Sequence, residues 1–164
     1  MKKSISIASI LSLIAVIAVV VGVILLGIVM AAGEGLEIAS GSQPFYDFTR
    51  PEDSAMRVLT LTFGIVGAVL LVANVVLGQI KGGKILKIVA DVLKIVAPAA
   101  LLVAALYFAY GSFTGLGWTF FSNEELQIYP EAIALGGQVI FGIASCFVAA
   151  ILALVASFLK VDQD

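Results

Sequence analysis

Four apolar stretches, residues 5–32, 56–80, 85–110 and 130–159, occupy most of a 164-residue chain and leave three short connections. A helix needs roughly 20 apolar residues to cross a hydrocarbon layer of about 30 Å, and each stretch is longer than that. With 62% of residues hydrophobic and 12% charged, the chain carries too little charge to clothe such a surface in water. Lipid can instead serve as the solvent for the outer faces. The sequence therefore predicts an all-α membrane protein, a bundle of four transmembrane helices forming a single domain over residues 1–164.

Charge is divided between the two sides of such a bundle. Lys2 and Lys3 precede the first span, Lys81, Lys84 and Lys87 lie in or just after the link between the second and third, and Lys160 follows the fourth. The alternate connections carry Glu34, Glu37, Asp47, Glu52, Asp53, Glu124, Glu125 and Glu131, with Arg50 and Arg57 as their basic residues. The positive-inside rule then places both termini in the cytoplasm and both longer loops outside. The first apolar run is nearly twice as long as the hydrophobic region of a cleaved signal, so it reads as an anchor. Brief loops and scarce cysteine fit a prokaryotic plasma membrane.

Small residues recur at helical spacing. Thr60, Gly64, Gly67, Leu71, Asn74 and Gly78 share one face of the second span, and Gln138, Gly142, Ser145, Ala149, Ala153 and Ala156 one face of the fourth. Ala8, Ser12, Ala15 and Gly22 do so in the first, and Ala97, Ala100 and Ala104 in the third. Such faces let backbones approach closely where lipid removes the hydrophobic drive between helices. Asn74 and Gln138 read as interhelical hydrogen-bonding residues more readily than as a solute site. Asn74 lies about 27 Å along span two, whereas Gln138 lies about 12 Å into the oppositely directed span four, so the two are not expected to meet.

Apart from Asp91 and Lys94 near the start of the third span, no Asp, Glu, Lys, Arg or His lies in the bilayer interior, and the chain has no histidine. Proton relays, voltage sensors and charge-coupled transporters place such groups within the membrane. The lone Cys146 reads as a packing thiol, and no metal-ligand spacing, phosphate loop or nucleophile motif is present. Neither catalysis nor a cofactor is expected, and the chain lacks the basic surface of a nucleic-acid binder. Pro98 can kink the third span, which a membrane helix tolerates.

Lys84, Lys87, Asp91 and Lys94 form a charged stripe extending the third helix on the cytoplasmic side. Asp91 can pair with Lys87 or Lys94, and these lysines, with Lys81, can contact lipid headgroups or a cytoplasmic protein. The outer loops gather Phe45, Tyr46 and Phe48 in the first, and Phe113, Trp118, Phe120, Phe121 and Tyr129 in the second. They suit an interfacial aromatic belt and a small outer cap built from the two loops. Phe45, Tyr46, Phe48, Trp118, Phe120 and Phe121 are also candidates for contact with a partner.

Phe45, Phe48, Thr49, Glu52 and Gly64 match Trp118, Phe121, Ser122, Glu125 and Gly137 at one constant offset. Two related helical hairpins, each opened by a Ser/Thr-x-x-Glu capping box with Pro51 or Pro130 in the first turn, would produce that pattern. Gly115-Leu116-Gly117-Trp118 differs from the claudin loop signature by an extra glycine and by lying in the second loop, so no family is assigned. The expected function is a small non-enzymatic membrane subunit or scaffold that packs with other membrane chains or itself, with its acidic, aromatic cap toward a partner. The alternative is a homo-oligomeric pore or facilitator for a neutral or cationic solute.

Overall fold

The computed structural model describes residues 6–41, 43–80, 83–121 and 128–159, and contains four helices: α1 Ile7–Gly33, α2 Pro51–Gln79, α3 Lys84–Phe121 and α4 Pro130–Phe158. All four are long and apolar enough to cross a membrane. Even the shortest, 27 residues, is about 40 Å long. Ser6 caps α1, its Oγ accepting the Ser9 N–H at 3.2 Å. Pro51 and Pro130 occupy the first positions of α2 and α4, where the missing N–H would have had no helical partner.

The third helix departs from expectation. It continues from Lys84 through Pro98 to Phe121, so Phe113, Trp118, Phe120 and Phe121 are helical instead of lying in a loop. Gly111 and Gly115 do not break it, because each is a contact point for a neighbouring side chain. A Cβ on Gly111 would fall 2.1 Å from Met56 Cγ, and one on Gly115 2.7 Å from the Phe45 ring. The hydroxyls of Ser112 and Thr119 donate to the Phe108 and Gly115 carbonyls one turn earlier, at 2.7 and 2.8 Å, which satisfies them without leaving the helix.

Around the bundle the order is α1, α2, α3, α4, with α4 closing against α1. The most extensive pairings are α2 with α3 and α1 with α4. Gly67 receives Leu101, and Gly22 faces Cys146 and the Gly142 carbonyl. Much of the buried face of α4 is built from small residues. On α4, Ala132, Gly136, Gly142, Ala149, Ala153 and Ala156 face inward, while Ile140, Phe141, Ile151 and Leu154 face outward. Such a distribution suits close helix packing within lipid.

Charges in the described helices are confined to the ends. Glu52, Asp53, Arg57 and Glu131 lie at the end nearest the 34–50 loop, and Lys84, Lys87, Asp91 and Lys94 at the opposite, basic end. From Lys94 to Gly111, which touches Met56 beside Arg57, the rise is about 26 Å. The uncharged belt is thus close to a bilayer's hydrocarbon thickness.

Candidate functional site

The two ends of the bundle differ in construction. At the loop end the chain folds back after α1, with Gly41 at φ +71°, a conformation that favours glycine. Phe45 N–H donates to the Leu36 carbonyl at 3.0 Å and Tyr46 N–H to the Gly33 carbonyl at 3.3 Å. This brings both rings onto the helices. Phe45 sits on Gly115 and Tyr46 on Gly33, where added Cβ atoms would come within 2.7 and 2.8 Å of the rings.

Tyr46 is fully buried, and its Oη lies 2.7 Å from Ser112 Oγ. Ser112 already donates its proton to the Phe108 carbonyl, so Tyr46 is the donor to Ser112. Burial pushes the Tyr46 phenol far above its ordinary pKa. Phe48 stacks on Tyr46, with centroids 6.0 Å apart, and the Arg57 guanidinium lies 4.9 Å from the Phe48 centroid. Tyr129 N–H donates to the Ile38 carbonyl at 3.0 Å, tying the loop to the start of α4.

This arrangement revises the expected partner surface. Phe45 and Tyr46 belong to the protein's own core and Phe48 is half-buried, while Phe120 leans on Gly136. Trp118 and Phe121 remain 52% and 87% exposed, on the open side of α3 with Tyr110 and Phe113.

The capping box at Thr49 does not form. Its hydroxyl and N–H donate to Asp47 Oδ1, and α2 opens at Arg50 with no side-chain cap. Those two bonds, the hydroxyl's first, hold the Asp47 carboxyl below its usual range. Ser122 and Glu125 lie outside the described residues. The matched positions of the supposed repeat also differ in role. Phe45 and Phe48 lie in a loop and Trp118 and Phe121 on a helix, while Gly64 packs against Val23 and Gly137 faces open space.

Among the expected packing residues, Gly64, Gly67 and Gly142 lie inside the bundle. Ser145 is half-buried and donates to the Phe141 carbonyl at 2.9 Å. Gln138 is exposed, because the buried stripe of α4 through Leu135, Val139, Gly142 and Cys146 is centred about 70° around the helix from it. Thr60 is fully buried, and its hydroxyl has no hydrogen-bond partner among the described residues.

At the basic end, four helices leave a crevice lined by Ala8, Ser9 and Ser12 of α1, Asn74, Val75 and Gly78 of α2, Lys94 of α3 and Ala156 of α4. Its enclosed volume of about 10 Å³ fits a single water-sized group. Asn74 is half-buried, and its side chain makes no hydrogen bond among the described residues. The expected interhelical bond is therefore replaced by a polar lining. Lys94 pairs with Asp91 at 3.0 Å, its own side chain 23% exposed and that of Asp91 70%. Lys84 and Lys87 are exposed on the preceding turns, and Lys81 lies outside the described residues.

No family model, curated protein or solved structure matches this chain.

Proposed function

We propose that this protein is a small, non-enzymatic integral membrane subunit of a plasma membrane, with both termini cytoplasmic, that docks against other membrane chains. The observation that carries this reading is Gln138. It lies on the exposed side of α4 with Ala134, Gly137 and Phe141, and nothing comes within 4 Å of the position a Gly137 side chain would take.

Gln138 is about 12 Å along α4 from Pro130, within the apolar belt. Its amide has two donors and an acceptor, and hydrocarbon offers none of them a partner. A polar group on an adjoining helix does, and the small neighbours let that helix approach. The exposed Trp118 and Phe121 edge of α3 extends the same role to the loop end.

Extraction of the full chain in a membrane-active polymer, followed by particle mass and protein composition, tests this reading. The wild type is expected in a particle with further protein chains. Gln138→Leu, and separately Trp118→Ala with Phe121→Ala, are expected to lower partner retention several-fold without changing bundle stability. Wild-type retention in all these variants would count against these faces. A closed particle of identical copies would favour a pore between subunits, since Val19, Leu71, Leu101, Leu26 and Phe108 fill the interior of one copy.

A further inference from the structure

We infer that the crevice at the basic end binds the phosphate of an anionic phospholipid, with Lys94 and Asn74 as its principal donors. This inference rests on the membrane reading above. The ligand's charge follows from the lining. Lys94 is the charged residue of the lining, and α1, α2 and α4 bring no described acidic side chain to this end, while Asp91, outside the lining, pairs with Lys94. Asp91 takes one of the three ammonium donors of Lys94, and two remain.

The Asn74 amide supplies further donors. Ser9 adds one when Ser6 Oγ, 3.0 Å away, donates to it. Ser12 is committed to the Ala8 carbonyl at 2.9 Å and forms a wall. The enclosed space admits one phosphoryl oxygen, so the rest of the headgroup stays at the mouth.

Lipid, in preference to soluble phosphate, follows from position. The crevice lies where the uncharged belt ends, at the depth of a headgroup, and Lys84 and Lys87 continue outward from it on the same helix. Exposed lysines near an anionic surface attract it diffusely, each contributing on the order of 1 kcal/mol. Lys94 differs from them in lining, with Asn74, a crevice formed by all four helices. One bound phosphate would therefore join α1, α2 and α3 at an end that lacks the loop-end cap.

The test uses the full chain, purified and delipidated in a neutral detergent. Native mass spectrometry with phosphatidylglycerol or phosphatidylcholine of matched acyl chains reads occupancy, and thermal unfolding reads its effect. One phosphatidylglycerol is expected to bind in preference to phosphatidylcholine and to raise the midpoint. Lys94→Gln and Asn74→Leu are each expected to weaken that binding about fivefold. Lys84→Gln with Lys87→Gln is expected to leave the single site in place.

Asn74→Leu preserves every charge, so the proposal remains testable if Lys94→Gln fails to fold. Equal binding of the two lipids, undiminished binding in both crevice variants, or displacement of lipid by millimolar inorganic phosphate would overturn it. Solubility of the chain without detergent would instead overturn the membrane reading itself.

Discussion

Tyr46→Ala is expected to destabilise the bundle by about 3–5 kcal/mol, the range for removing a large aromatic from a packed core. The ring is fully buried, stacks with Phe48, meets Phe45 edge-on at 5.1 Å and rests on Gly33. Its loss leaves a cavity that Gly33 and Gly115 cannot fill. Tyr46→Phe keeps the ring and loses the hydrogen bond to Ser112, so its expected cost is about 1 kcal/mol. Ser112 remains satisfied through the Phe108 carbonyl. Unfolding in mixed micelles by titration with a denaturing detergent, followed by circular dichroism, checks both values. Wild-type stability of Tyr46→Ala would mean that the loop does not pack on the helices.

A comparable effect is expected where α1 crosses α4. A Cβ on Gly22 would lie 2.4 Å from Cys146 Sγ and 3.1 Å from the Gly142 carbonyl oxygen, whereas one on Gly27 meets nothing within 4 Å. Gly22→Leu is therefore expected to cost about 3 kcal/mol through overpacking, and Gly27→Leu to leave stability within about 0.5 kcal/mol. Gly22→Ala should be partly rescued by Cys146→Ala, because the thiol is the nearer obstacle and the backbone oxygen remains. The same unfolding titration reads this non-additivity. Equal costs at Gly22 and Gly27 would contradict the α1–α4 crossing.

The helical class and the four apolar segments were legible because length and hydropathy act over tens of residues. The end of α3 was harder to read. Gly111, Ser112, Gly115 and Gly117 resemble loop residues in isolation, but Phe108, Gly111, Gly115 and Thr119 continue the spacing of Ala97, Ala100 and Ala104 along the buried side. Following that stripe past Tyr110 would have extended the helix.

The fate of the loop aromatics was not legible. Whether Tyr46 faces a partner or its own core depends on Gly33 and Ser112, the latter 66 positions away, and local pattern does not encode that pairing. The exposure of Gln138 was not legible, since it shares the helical spacing of the buried Gly142, Ala149 and Ala156 yet lies at the edge of the buried stripe. For the crevice, the sequence supplied Asn74 and Lys94 as separate features. Only the crossing of α2 and α3 beside the start of α1 brings them to one lining.

The proposed docking and lipid-binding roles require the four helices to cross a membrane with the loop end outside and the basic end inside. Cysteine labelling in a Cys146→Ala background tests this directly, using Glu37→Cys and Lys87→Cys in sealed, right-side-out vesicles with a membrane-impermeant maleimide. Glu37→Cys is expected to label at once, and Lys87→Cys only after the vesicles are opened. Labelling of both positions from the same side of sealed vesicles would contradict the account.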